Sequence, residues 1–190
     1  MDLILPLLLA AAPAPPGALA ATPLWGPHAD RAAACAACAM VRSLPAPSGA
    51  LAAELWQDPS YHPVPSPTPL MIYRLGIQTA AGWYVRELGQ DGTQCDGSAP
   101  FQVGWHLDHA ATWATPDGVR LALYVDLGAE VRQKEVVLCG VGPGQAPSCL
   151  GSLYPQGDAR AAIPAWDVPF VLEADGGFTL GSNRIKVHFP

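Results

Sequence analysis

Val119-Arg120-Leu121-Ala122-Leu123-Tyr124-Val125-Asp126-Leu127 is the stretch that decides the fold. Leu121, Leu123, Val125 and Leu127 recur at every second position, with Ala122, Tyr124 and Asp126 between them. Successive side chains of a strand point to opposite faces, so this spacing predicts a β-strand with one apolar face. Thr115-Pro116-Asp117-Gly118 precedes it and carries turn chemistry, proline presetting one backbone angle and glycine tolerating another. Residues 131–141 follow after a short connection and pair with it as the next strand.

The same period appears on both sides of this strand. Met71, Tyr73, Leu75 and Ile77 alternate with Ile72, Arg74, Gly76 and Gln78. Ala80-Ala81-Gly82 turns the chain and residues 83–88 return, which predicts a hairpin. Residues 50–58 read as a strand, 89–100 as a polar loop and 101–113 as extended chain. Five prolines, at 59, 63, 65, 67 and 69, mark an extended connection. Pro169 lacks an N–H and so places the segment Val168–Glu173 at a sheet edge. Ile185, Val187 and Phe189 alternate with Arg184, Lys186 and His188 and end the chain as a strand. Asp30 is positioned to cap a short helix from Arg31 to Arg42. Eight or nine short strands with turns between them predict a mainly β fold, an antiparallel β-sandwich or partly open barrel with a short N-terminal helix. A length of 190 residues suits one domain. The 19 glycines and 21 prolines exceed the usual joint share of roughly 12%, in keeping with many turns.

The N-terminus reads as an address. Leu3 to Ala12 is one apolar run, shorter than the about 20 residues a transmembrane helix needs but right for a signal-peptide core. Ala18-Leu19-Ala20 supplies a small-residue cleavage site, although Met1-Asp2 lacks the usual basic residue. The expected organisation is a signal peptide over 1–20, a flexible lead-in over 21–28 and a single disulfide-stabilised β domain over 29–190. Cys35 lies too far beyond the apolar run for a lipid anchor. Export to the periplasm or the medium follows, with no membrane attachment after cleavage. A net charge of −6, a pI near 5.2 and the lack of any Lys/Arg cluster exclude nucleic acid as a partner class.

Export makes disulfides the expected state of Cys35, Cys38, Cys95, Cys139 and Cys149. Residues 136–139 read as a strand, 140–147 as turn and 148–150 as the returning strand, so a Cys139–Cys149 bridge is expected across a hairpin. Cys38 is expected to reach Cys95, with Cys35 as the alternative partner. Cys35-Ala36-Ala37-Cys38 also has the spacing of a redox pair or half a zinc site. A redox C-x-x-C belongs at the start of a helix in a βαβ setting and a zinc site needs two further ligands at comparable spacing, and the sequence displays neither.

His106, Asp108 and His109 are the candidate metal ligands, because imidazole and carboxylate groups this close together can share a divalent ion. In a regular strand His106 and Asp108 share one face and His109 points away, so His28, His62 or His188 would have to complete the site. The H-x-H-x-D-H signature of metallo-β-lactamase-like hydrolases is not matched, because Gly104 stands where its first histidine belongs and that family alternates strands with helices. No G-x-S-x-G elbow occurs, no catalytic residue is assigned, and no cofactor beyond that metal is implied. Six tryptophans, at 25, 56, 83, 105, 113 and 166, are either core or a stacking surface for sugars. The expected function is an exported binding or structural module of the cell envelope or medium, with a protein or glycan as partner. A metal-dependent hydrolase centred on His106, Asp108 and His109 is one alternative. A carbohydrate-binding module using exposed tryptophans is another.

Overall fold

The structure, a computed structural model, describes residues 18–61, 70–95, 100–127, 133–153, 170–175, 177–180 and 183–188. Strands β1 (Ala18–Ala20), β2 (Thr22–Pro23) and β3 (Trp25–His28) come first, followed by the single helical turn α1 (Arg31–Ala34). Strands β4 (Ala39–Leu44), β5 (Ala52–Tyr61), β6 (Leu70–Thr79), β7 (Gly82–Cys95) and β8 (Pro100–Val103) then build the first sheet. Its order is β3-β7-β6-β5-β4, with β8 paired to β7 off that path. Strands β9 (Trp105–Thr115), β10 (Gly118–Leu127), β11 (Gln133–Val141) and β12 (Pro147–Leu153) form the second sheet, in the order β2-β12-β11-β10-β9. A small third sheet holds β13 (Phe170–Leu172), β14 (Phe178–Leu180) and β15 (Asn183–His188), with β1 lying parallel to β15. The chain is thus a mainly β, sandwich-like fold whose two main sheets are antiparallel, and β13 takes an edge position in the third.

Three apolar clusters divide the layers. Leu55, Leu75, Ile77 and Tyr84 of the first sheet face Leu121, Leu123, Val125 and Val137 of the second, making the main core. Removing this surface from water is the dominant favourable term of folding. On the far face of the second sheet, Ala122, Val136 and Leu138 pack with Trp113, Leu150 and Phe178 of β14. Both faces of β10 and β11 are therefore covered, which explains why their sequences approach continuous apolar runs. On the outer face of the first sheet, Trp56, Trp83 and Val85 pack with Ala34 of α1. Trp56 is fully buried there because Gly76 on the adjacent strand leaves room for its indole; a Cβ on Gly76 would lie 2.4 Å from the ring. Gly89 does the same for Trp105, whose ring would meet a Cβ at 2.2 Å.

Four expectations are corrected. Residues 21–28 are no flexible lead-in. Thr22 and Pro23 pair with β12, Trp25 and His28 pair with β7, and Ala21 and Leu24 are buried. The segment crosses from one sheet to the other because Leu24 is apolar and fills the core between them. The helix ends after Ala34 and does not run to Arg42. Asp30 caps it as expected, its Oδ1 accepting from the Ala33 N–H at 2.7 Å, but Ala39–Leu44 forms ladder hydrogen bonds with β5 instead. Helix propensity in an alanine-rich stretch is a weak prior beside an open sheet edge. Residues 89–95 continue β7 rather than looping, since Gly92–Cys95 pairs with Pro100–Val103. Cys38 is bonded to Cys35, not to Cys95. A turn at Ala36-Ala37 brings the two Cα atoms to 5.3 Å, so the nearer partner takes the bond. The apolar run Leu3–Ala12, the prolines at 63, 65, 67 and 69, His62 and Trp166 lie outside the described residues.

Cys139 and Cys149 are joined. They face each other directly in the β11–β12 register, both are fully buried, and they belong to the main core. Two disulfides fit a chain that folds in an oxidising compartment. Among the described residues, no helix is long and apolar enough to cross a membrane.

Candidate functional site

His106, Asp108 and His109 all sit on β9, and the pairing with β10 slips between them. His109 opposes Tyr124 and Leu107 opposes Val125, leaving Asp108 as an extra residue, a β-bulge. The bulge changes the parity of the strand. Trp105 and Leu107 stay buried, whereas His106, Asp108 and His109 are all exposed, so His109 does not point away as a regular strand would require. The carboxylate of Asp108 lies 2.9 Å from His109 Nδ1, and the His109 ring stacks on Tyr124 with centroids 4.2 Å apart. Asp126 stands opposite His106 in the ladder. The three candidates therefore share a face, but their ligand atoms do not gather into one group. Among the described residues the triplet that does gather is Cys35, Cys38 and Asp58, within 4.8 Å of one another. Of the distant helpers, His28 packs edge-on against Trp25 at 4.1 Å with its Nε2 buried and without a hydrogen-bond partner, and His188 ends β15.

Tryptophans serve mainly as core. Trp56, Trp83, Trp105 and Trp113 are buried, and Trp25 is 69% exposed. No row of exposed indoles forms among the described residues, and the flat stacking surface that a sugar-binding sheet needs is not assembled there.

The Cys35–Cys38–Asp58 triplet is built from two elements. Arg31 anchors α1 to the outer face of the first sheet, donating to Glu54 Oε1 at 2.7 Å and lying 5.8 Å from the Trp83 ring centre. Glu54 in turn accepts from Trp56 Nε1 at 2.7 Å. The turn after α1 lowers both sulfurs, each half-buried, onto that cluster. Asp58 projects from β5 beside them, 5% exposed, with Oδ2 3.8 Å from Cys35 Sγ and 3.3 Å from Arg74 Nη2. The sequence could not place Asp58 here, because 20 or more residues and a change of element separate it from the cysteines. Alternation along β5 was the usable signal, since Glu54, Trp56 and Asp58 share one face.

A cleft of about 380 Å³ opens at one end of the sandwich. Turns from both sheets line it, around Ser48, Thr79–Ala81, Asp117 and Gly142–Ala146, with Tyr84 at its side. These turns are pinned. Ser48 exchanges hydrogen bonds with the Val119 backbone, and Thr79 Oγ1 accepts from the Ala81 N–H. Behind the Gly142–Ala146 turn, the Cys139–Cys149 bridge clamps both strands. Arg86 then crosses the core to donate to the Cys149 carbonyl at 3.0 Å. Burial pulls the Arg86 guanidinium below its ordinary value, and the buried Glu135 carboxylate pulls it back. Glu135 thus helps to keep a charged tie between the sheets. Sequence reasoning missed this cleft, since its walls come from four separate turns.

These features define a disulfide-stabilised β-sandwich with a loop-lined end cleft. In comparisons with known proteins, the chain matches no family model, no curated protein and no solved structure.

Proposed function

We propose that the chain is an exported binding or scaffolding module of the cell envelope or medium, and that it engages a protein or glycan through the cleft at the end of the sandwich. The observation that carries this reading is the buried Cys139–Cys149 bridge directly behind the cleft turn. A bridge of this kind belongs to an oxidising compartment and holds the loop in one shape, which lowers the ordering cost of binding. The apolar N-terminal run supports export, and binding sites concentrate on loops held by a rigid scaffold.

Intact mass of the exported protein tests the first half. The expected species begins at Ala21 and lacks the four hydrogens of two disulfides; a full-length, fully reduced chain retained in the cytoplasm overturns the reading. A photocrosslinker at Ala81, in the cleft, tests the second. An adduct formed from residue 81 but not from the exposed Leu51 or Val171 supports the cleft as the binding face. Adducts from the control positions alone move binding elsewhere.

A further inference from the structure

We propose that Cys35–Cys38 is a thiol–disulfide exchange site, with the buried Asp58 carboxylate as its proton acceptor and an external dithiol as its co-reactant. Access is the first argument. Disulfide exchange requires an incoming thiolate to reach a sulfur. Both residues of this pair are half-buried on the outer face of the first sheet, whereas Cys139 and Cys149 are fully buried. The second argument is that opening the bond leaves its backbone supported. Cys35 N–H donates to the Arg31 carbonyl at 2.9 Å, Cys38 N–H donates to the Cys35 carbonyl at 3.3 Å, and Arg31 is tied to Glu54.

Asp58 supplies the third argument. Its Oδ2 lies 3.8 Å from Cys35 Sγ, within reach of a sulfur hydrogen bond. A disulfide sulfur has no proton to give that oxygen, but a thiol has. The pocket is therefore complementary to the reduced pair. Arg74 Nη2, at 3.3 Å from the same carboxylate, pairs with it and holds it in place.

A thiolate of the external dithiol attacks Cys38 Sγ, and the Cys35–Cys38 bond breaks. Cys35 leaves as a thiolate, takes a proton from solvent and donates it in a hydrogen bond to Asp58. The second thiol of the co-reactant then loses its proton and attacks the mixed disulfide, releasing Cys38 as a thiolate that is protonated in turn. Two electrons and two protons have passed to the protein pair, and the co-reactant leaves as a disulfide. In the reverse direction Asp58 accepts the Cys35 proton as that sulfur attacks.

The test uses the exported protein with Cys95 capped by N-ethylmaleimide, equilibrated in mixtures of reduced and oxidised dithiothreitol. Open thiols are then alkylated and located by peptide mass spectrometry. Cys35 and Cys38 are expected to open with the circular dichroism unchanged, at about a hundredfold lower reductant than Cys139 and Cys149. Asp58→Asn is expected to shift the equilibrium about tenfold toward the disulfide, which is about 30 mV for a two-electron couple. Simultaneous opening of both bridges on unfolding overturns the proposal, as does a folded Asp58→Asn protein with an unmoved equilibrium. Should that variant not fold, Cys38→Ser reads the same contact. Its Cys35 thiol is expected to alkylate at higher pH than an unperturbed cysteine, because a carboxylate disfavours the thiolate. An ordinary or lower midpoint removes Asp58 from the mechanism.

Discussion

The two disulfides lie on opposite sides of the first sheet, and they do different work. Cys139–Cys149 lies in the main core, joins directly opposed residues on neighbouring strands and clamps the turn at the mouth of the cleft. Cys35–Cys38 closes a four-residue turn on the outer face, over a small cluster of tryptophans and beside a buried carboxylate. Burial encloses the first, whereas the half-buried position of the second leaves it open to an incoming thiolate. One covalent bond type is thus a structural clamp in one place and a candidate reactive group in another, and the surroundings decide which.

Removing the inner bridge is expected to have the largest effect. Cys139→Ala with Cys149→Ala should cost about 3 kcal/mol by loop entropy alone. Urea unfolding measures it, and an unchanged midpoint would mean that the clamp contributes nothing. The outer cluster can be probed without touching sulfur. Gly76→Ala drives a methyl into the Trp56 ring and should cost about 2 kcal/mol, since overpacking a filled core forces neighbours to move. A neutral result would show that the outer face is not packed at all. Cys35→Ala with Cys38→Ala should cost less than the inner pair, about 2 kcal/mol at most, because so short a loop restricts the unfolded chain little. A loss as large as that of the inner pair would erase the distinction drawn above.

Smaller still is the tether of α1. Arg31→Ala should cost under about 1 kcal/mol, as a half-exposed ion pair is screened by water. Its effect should appear in the opening of Cys35–Cys38 rather than in global unfolding. Burial, then the Asp91 carboxylate, raises the Tyr73 phenol above its ordinary value, and burial raises Tyr124. A group whose folded value is raised lends its full stability below the unfolded value and loses it as pH climbs through the folded one. Stability should therefore hold to about pH 10 and fall above it. Absorbance titration of native Tyr73→Phe and Tyr124→Phe should each lose one late-ionising phenol; an unchanged titration would place both rings in water.

Much of the sheet structure was legible in the chain. The two-residue period of Leu121, Leu123 and Val125 fixed the core face of β10, because side-chain direction in a strand is a local property. The turn-rich run between Cys139 and Cys149 brought those sulfurs together for the same local reason. Pro169 likewise signalled an edge.

Other features depended on neighbours the sequence does not reveal. Alanine-rich 35–42 left the helix because β5 offered it an edge, and residues 21–28 were ordered because Leu24 had a core to enter. His109 turned to the face of His106 only through a bulge, a property of the pairing of two strands and not of either one. Asp58 reached Cys35 through the placement of α1 on the sheet. The end cleft required four turns from distant parts of the chain. Local periodicity and turn chemistry set β10, the β6–β7 hairpin and the inner bridge. Sheet pairing and packing decided which polar and sulfur atoms meet, because those contacts join residues far apart in sequence whose encounter no short-range rule describes.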